Sequence, residues 1–340
     1  MDFLKNTTKE NFEALRLEML DTLSQYGFGY YPEKPIDVKF SEKNHDKACA
    51  GHATGKTITF TVVNKKGEFS FNADIFIPKI EGKIPFFVYA SFDKSPYCRY
   101  VPVEEITDSG CGLISFYYED IVTDESPNFD KLGEIIPRDA DTGYGKIGLW
   151  AWTMSRCIDY LYTLDFVDRD KIAVIGHSRL GKTALWCGAN DPRAKYVFPN
   201  NSGCMGDAMI EGKTEGAETN KRIATVFPTW FCDRFVDYAT NERDLPFDMD
   251  MLIACSCPRY VAIGAAALNA WADPPAQERS VLSASKAWEL FGFKPFVNTQ
   301  DAYSYSVGAI GDRLAFFLRD GIHFLSRHDW HNYITVLKKD

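Results

Sequence analysis

Hydrophobic and polar positions alternate with two different periods along this 340-residue chain, and each change of period marks an element. KTITFTVVN (56–64) and FSFNADIFIP (69–78) alternate with period two, the pattern of half-buried antiparallel strands. IPFFVYASF (84–92) and CGLISFYYED (111–120) are continuous apolar runs, as strands covered on both faces tend to be. KIAVIG (171–176), KYVFPNNSG (195–203), PRYVAIGAA (258–266) and LAFFLRD (314–320) add strands, the second running out into a loop. Elsewhere apolar residues recur every three or four positions. Residues 1–26, VEEITDSG, GLWAWTMSRCIDYLYTL (148–164), the segment up to about Gly188, SVLSASKAWELFG (280–292) and HDWHNYITVLKK (328–339) read as helices. Residues 121–146 are polar, contain Pro and Gly, and read as a long loop; such loops are often functional.

No repeat, low-complexity tract or linker interrupts this alternation. It predicts an α/β protein with a mostly parallel central sheet and helices on both faces. One domain spans 1–340, with the N-terminal helix and antiparallel strands of about 1–80 packed onto it.

Composition narrows the function. The net charge of −9 argues against a nucleic-acid-binding surface and gives no attraction to anionic membranes. The N-terminus is charged and amphipathic, unlike a signal peptide, and no apolar run approaches the roughly 20 residues of a membrane span. The sequence as it stands is thus expected in the cytoplasm, and outside the cell only if a leader has been trimmed. Nine scattered Cys in mostly apolar contexts fit reduced, buried thiols; CSC at 255–257 lacks zinc spacing and reads as core strand. No metal or cofactor is expected. Aromatics make up 14% of the chain, which fits either a large core or a cleft that stacks on sugar rings.

The chemistry centres on AVIGHSRLGKTALW (173–186). A strand, a sharp turn with Ser178 at its apex and a helix form the layout of a nucleophile elbow. Gly176 permits the tight turn, and the N–H of Arg179 at the helix start points toward a developing oxyanion. The second glycine comes one residue late, as Gly181. Two other readings stand beside this one: Ser178 as a plain helix cap, and Gly-Lys-Thr at 181–183 as a phosphate loop, which lacks its glycine-rich body. A hydrolase triad would place its His after the last strand. His323 sits there, whereas His328 and His331 fall on the closing helix. His177 reads as a packing residue, and His45 and His52 have no visible partner.

GHSRLGK, NNSGC, FPTWFC, WADP and the terminal G-x-H…DW together resemble the glucuronoyl esterase family of carbohydrate esterases and its bacterial relatives, from about residue 80 to the end. The resemblance implies an α/β-hydrolase fold and a serine carboxylic-ester hydrolase acting on plant cell-wall carbohydrate, without metal or cofactor. The substrate it implies is a carbohydrate ester, above all an ester of (4-O-methyl-)glucuronic acid, cleaved through an acyl-enzyme on Ser178. An acetyl esterase of xylan or oligosaccharides is one alternative; a catalytically impaired carbohydrate-binding relative is another. By position, the base is His323. Arg179 lends its backbone and side chain to the oxyanion, Lys182 and Glu218 bind sugar hydroxyls, and Trp271 packs on the sugar. A second oxyanion donor is expected near Phe92. The family's two positions for the triad acid are Asn201 and Asn269 here. An amide can accept Nδ1–H from a neutral His but does not stabilise imidazolium as a carboxylate does. Asp273, four residues past Asn269, is the nearest carboxylate; it reads either as the acid or as the cap of ADPPAQE.

Overall fold

The computed structural model describes residues 3–45, 48–297 and 309–339. Among them ten strands form one sheet: β1 (Asp37–His45), β2 (Ala53–Asn64), β3 (Gly67–Pro78), β4 (Ile84–Ser91), β5 (Gly112–Tyr117), β6 (Val167–His177), β7 (Tyr196–Asn200), β8 (Tyr260–Ala266), β9 (Ala309–Ile310) and β10 (Leu314–Arg319). Their order is β1-β2-β3-β5-β4-β6-β7-β8-β10-β9. The six strands from β5 to β10 in that order run parallel, and β1–β3 and β9 are antiparallel to their neighbours. The first strands are therefore not packed onto the sheet. They extend it, because β3 pairs with β5 from Ala73 opposite Phe116 to Phe76 opposite Leu113.

Helices cover both faces. They are α1 (Phe12–Leu23), α2 (Val103–Asp108), α3 (Asp130–Ile135), α4 (Lys146–Leu161), α5 (Arg179–Asn190), α6 (Asn220–Val226), α7 (Asp233–Ala239), α8 (Met249–Ala254), α9 (Pro274–Glu289) and α10 (Arg327–Lys338). Successive strand side chains point to opposite faces. Phe86 and Val88 of β4, with Ile172 and Val174 of β6, thus pack with α1, α4, α5, α8 and α9. Phe87, Tyr89, Ala173 and Ile175 pack against α2 and α10 on the other face. Burial on both faces explains why these strands read as unbroken apolar runs.

Several expectations need correction. The first helix is α1, much shorter than 1–26, followed by a π-helical turn over Ser24–Phe28. The 121–146 segment is not all loop, since α3 lies in it. CSC is a turn after α8 rather than a strand, with Cys255 and Cys257 fully or nearly buried. No helix among the described residues is long and apolar enough to cross a membrane.

The parallel strands bring their carboxyl ends to one edge. There lie Ser178 after β6, Asn201 after β7, Asn269 after β8 and His323 after β10. In open α/β sheets this edge is where ligands bind.

Candidate active site

Ser178 has φ 58° and ψ −126°, a conformation that L-residues rarely adopt and that costs on the order of 1–3 kcal/mol. Gly176 makes the bend possible by its lack of a side chain: a Cβ there would stand 1.9 Å from the Leu180 carbonyl oxygen. The Ser178 N–H donates to the Asn200 carbonyl at 2.8 Å, which ties the elbow to the end of β7. Behind it, the Ser178 carbonyl accepts from Gly181 and Lys182 N–H at 2.9 and 3.2 Å. Arg179 is the first residue of α5, so its own N–H has no partner within the helix and is available to an anion.

Ser178, Arg179, Lys182, Asn201, Glu218, Trp271 and His323 line one cavity of about 250 Å³. The chain segments that carry these residues are far apart in sequence and are held by specific bonds. Arg319 fixes the His323 loop: its guanidinium donates to the carbonyls of Asp320, Ile322 and Phe324 and pairs with Asp329 at 2.8 Å. The Glu218 N–H donates to the Trp271 carbonyl at 3.0 Å, joining two walls. Lys182 is buried and its Nζ donates to the Ser202 carbonyl. The Arg222 guanidinium sits 5.1 Å above the Trp271 ring.

The Arg179 side chain pairs with Asp124. It also lies over Trp230 at 4.6 Å, Phe227 at 5.2 Å and Phe92 at 5.8 Å, an aromatic shelf suited to a planar cation. Asp124 is held in turn. Its Oδ1 accepts from Trp230 Nε1 at 2.6 Å, and the backbone around it caps the fully buried Lys146, whose Nζ donates to the carbonyls of Thr123, Asp124 and Ser126. The polar loop thus serves the site through Asp124. Phe92 packs edge-on to His177, so the loop after β4 faces the elbow as expected.

His323 meets an amide, not a carboxylate. Its Nδ1 lies 2.8 Å from Asn269 Nδ2, and Asn269 Nδ2 also donates to Asn201 Oδ1 at 2.9 Å. Burial, then the charges of Lys182, Arg179 and Arg319, push the His323 pKa down to about 4, although the ring is open to solvent. The imidazole is therefore neutral at pH 7, as a general base must be.

The assignment of Asp273 as acid is corrected. Asp273 caps α9: its Oδ1 accepts from Ala276 N–H at 3.2 Å and Thr214 Oγ1 at 2.6 Å, and its Oδ2 from Thr214 N–H at 2.7 Å. Its backbone is left-handed, with φ 56°, and both oxygens are occupied by this turn. His177 packs, as expected, against His323, Tyr100 and Phe92. His328 and His331 lie exposed on α10. His45, which the sequence leaves alone, meets Thr57 Oγ1 at 2.5 Å. Reasoning from sequence missed Asp124, Arg222, Phe227 and Trp230. The last two stand in FPTWFC, whose paired aromatics were the available signal. No group of three or more potential metal ligands occurs among the described residues.

The family model described as "Glucuronyl esterase, fungi" matches residues 60–292. The chain is 28% identical to carbohydrate esterase MZ0003 from an unknown prokaryotic organism, over 98% of this chain and 86% of that protein. It is 26% identical to the 4-O-methyl-glucuronoyl methylesterase of Podospora anserina over 85% of this chain, and spans 58% of that enzyme's length. Among solved structures, it superposes on the glucuronoyl esterase from Solibacter usitatus with a TM-score of 0.87 and 26% identity, covering 98% of this chain and 94% of that one.

Proposed function

The chain belongs to the glucuronoyl esterase family of α/β-hydrolase-fold carboxylic-ester hydrolases, and from that premise we propose that it cleaves glucuronoyl esters of carbohydrate, with Ser178 as nucleophile and His323 as base. The observation that carries the reading is the single cavity in which Ser178, His323, Arg179, Lys182, Glu218 and Trp271 meet.

The steps follow from what each group can do. Ser178 Oγ attacks the ester carbonyl while His323 Nε2 takes its proton. The carbonyl oxygen becomes an oxyanion, which the Arg179 N–H and the fixed Arg179 charge stabilise without reorganising. Collapse expels the alcohol, which receives the proton from His323, and leaves an acyl-enzyme on Ser178. Water, deprotonated by His323, then releases the uronic acid. Lys182 and Glu218 offer a donor and an acceptor for sugar hydroxyls, and the exposed Trp271 ring offers a stacking face.

Asn269 as the partner of His323 supports a second reading, a relative that binds sugar esters and turns them over slowly or not at all. One experiment separates the readings. Hydrolysis of benzyl glucuronate is measured beside 4-nitrophenyl acetate and acetylated xylo-oligosaccharides, with Ser178→Ala as control. Turnover of the glucuronate ester that Ser178→Ala reduces by several orders of magnitude supports the esterase. A preference for acetyl substrates moves the assignment to acetyl esters. Rates equal to the control with all three substrates establish the binding relative.

A further inference from the structure

The Asn269–His323 contact is one end of a longer line. Asn201 Nδ2 donates to Asn200 Oδ1 at 2.9 Å, and the same oxygen lies 2.8 Å from His177 Nδ1. On its far side Asn200 Nδ2 donates to the Tyr333 hydroxyl at 3.2 Å, which donates to the Pro199 carbonyl at 3.2 Å. The line therefore runs His323, Asn269, Asn201, Asn200, His177, with Tyr333 as a branch. Asn200, Asn201, Asn269, His177 and Tyr333 are all at least 96% buried. Gly264 of β8 leaves the room: a Cβ there would stand 2.2 Å from the Tyr333 hydroxyl oxygen and 2.5 Å from Asn200 Nδ2.

A buried polar group requires a partner. Each amide has an oxygen that only accepts and a nitrogen that only donates. Reversing one amide alone would set two oxygens, or two NH2 groups, face to face. The three can reverse only together, and the reversed polarity keeps every contact along the line, giving up only the bond from the Tyr333 hydroxyl to the Pro199 carbonyl, because that single proton then turns to Asn200. In the first, Asn269 donates to His323 Nδ1, so the His323 proton is on Nε2, and His177 donates from Nδ1 to Asn200 Oδ1. In the second, Asn269 Oδ1 accepts from His323 Nδ1–H, Asn201 donates to Asn269, and Asn200 donates to both Asn201 and His177 Nδ1. The Tyr333 hydroxyl then donates to Asn200 Oδ1, and the His177 proton is on Nε2.

We propose that Asn269, Asn201 and Asn200 act as one polarised line that allows only one of His177 and His323 to carry a proton on Nδ1, which makes Asn200 and His177 positioning residues for the base. The inference rests on the reading of His323 as general base. A base must offer an unprotonated Nε2 to the Ser178 hydroxyl, so only the second polarity is productive. Each ring has a single proton to place at neutral pH, because burial, then neighbouring His323, lowers the His177 pKa to about 3 and His323 titrates near 4.

The test reads ring tautomers by 1H–15N correlation at pH 7 in protein labelled with 15N in its histidine rings, with His323→Ala to assign His323. In the wild type, a protonated Nδ1 is expected on one of the two residues and an unprotonated Nδ1 on the other. The same Nδ1 state in both rings overturns the proposal without reference to any ester assay. Two substitutions then set the polarity. Asn200→Asp makes that position accept from every neighbour, which forces Asn201 and Asn269 to donate toward it and holds His323 in the Nε2–H form. Asn269→Asp makes the other end the acceptor and holds His323 in the Nδ1–H form. The expected result is a fall in kcat of tenfold or more for Asn200→Asp with KM unchanged, and a rise for Asn269→Asp. Simple attraction of a new carboxylate for imidazolium would raise kcat, or leave it alone, in both. A His323 that carries its proton on Nδ1 in folded Asn200→Asp protein overturns the proposal. If that variant does not fold, the wild-type tautomers decide. Absence of any Ser178-dependent hydrolysis would instead refute the base assignment and leave the tautomer result standing.

Discussion

The rings of His177 and His323 lie 4.5 Å apart, centroid to centroid, yet one is 2% exposed and the other opens onto the ester cavity. Two imidazolium ions at that distance would repel, and both rings sit below the ordinary histidine pKa of 6.5, His177 at about 3 and His323 at about 4. As the proposed base, His323 is active when neutral. The kcat/KM profile is therefore expected to hold as pH falls from 7 and to drop only as pH passes below about 4. An acid limb centred near 6.5 in a pH–rate series would contradict the depressed pKa of His323, not its place as base.

The same depression carries a sign for stability. The unfolded chain binds a proton on His177 near pH 6.5, and the folded chain does so only near 3. Protonation favours the unfolded state, so the fold keeps its full stability above about 6.5 and loses it as pH falls toward 3. His177→Phe is expected to flatten that decline in urea unfolding midpoints measured from pH 7 to 4. An equally steep decline in the variant would assign it to other groups.

Asp273 is a cap, and its removal is a stability experiment. Asp273→Ala leaves the Ala276 N–H and the Thr214 N–H and hydroxyl without their acceptor, and puts an alanine at φ 56°. Loss of a cap costs about 1 kcal/mol, and each buried donor left unpaired about 1–3 more. Chemical denaturation should show a loss of about 2 kcal/mol or more, while kcat per folded molecule stays within about twofold. A kcat loss of about 10⁴ with unchanged stability would restore Asp273 as the triad acid.

Lys146 reaches the site through backbone alone. Its substitution in Lys146→Met orphans three carbonyls of the segment 123–126, whose Asp124 pairs with Arg179. Without the ammonium that ties these carbonyls together, that segment should detach before the rest of the fold. Limited proteolysis is expected to cut first within 121–130, with lowered kcat. Wild-type resistance to cleavage there would show that the aromatic shelf holds the segment without Lys146.

Arg179→Lys separates charge from shape. An ammonium keeps the charge but loses the planar fork and the stacking on Trp230 and Phe227. With the backbone N–H intact, kcat should fall about 10–100-fold and KM change little; removal of one oxyanion donor elsewhere costs about 10²–10³. A variant with normal kcat would restrict the role of Arg179 to its backbone.

Local pattern was enough for much of this protein. The two-residue alternation of β2 and β3, the apolar runs of β4 and β6 and the helical period of α4 all follow from burial of one face or both. The elbow was legible because strand, turn and helix are contiguous, so the place of Ser178 depends on neighbours within a few residues. His323 followed from its position after the last parallel strand. β1 was missed because its residues are exposed or only half-buried on both faces, which leaves no apolar period to read. α8 and the buried CSC turn went astray because a short apolar run fits strand and helix equally well until its partners are known.

The partner of His323 was decided only by tertiary structure. Asn269 and Asp273 are four residues apart and chemically close, and sequence alone favours the carboxylate. In the fold a left-handed turn at 273 directs that carboxylate to the first turn of α9 and to Thr214. Asn269 meets the imidazole, backed by Asn201 and Asn200 from the next strand over. Sequence supplied three amides and two imidazoles. The direction in which each donates depends on its neighbour across strand ends, so it exists only once the sheet has brought those ends together.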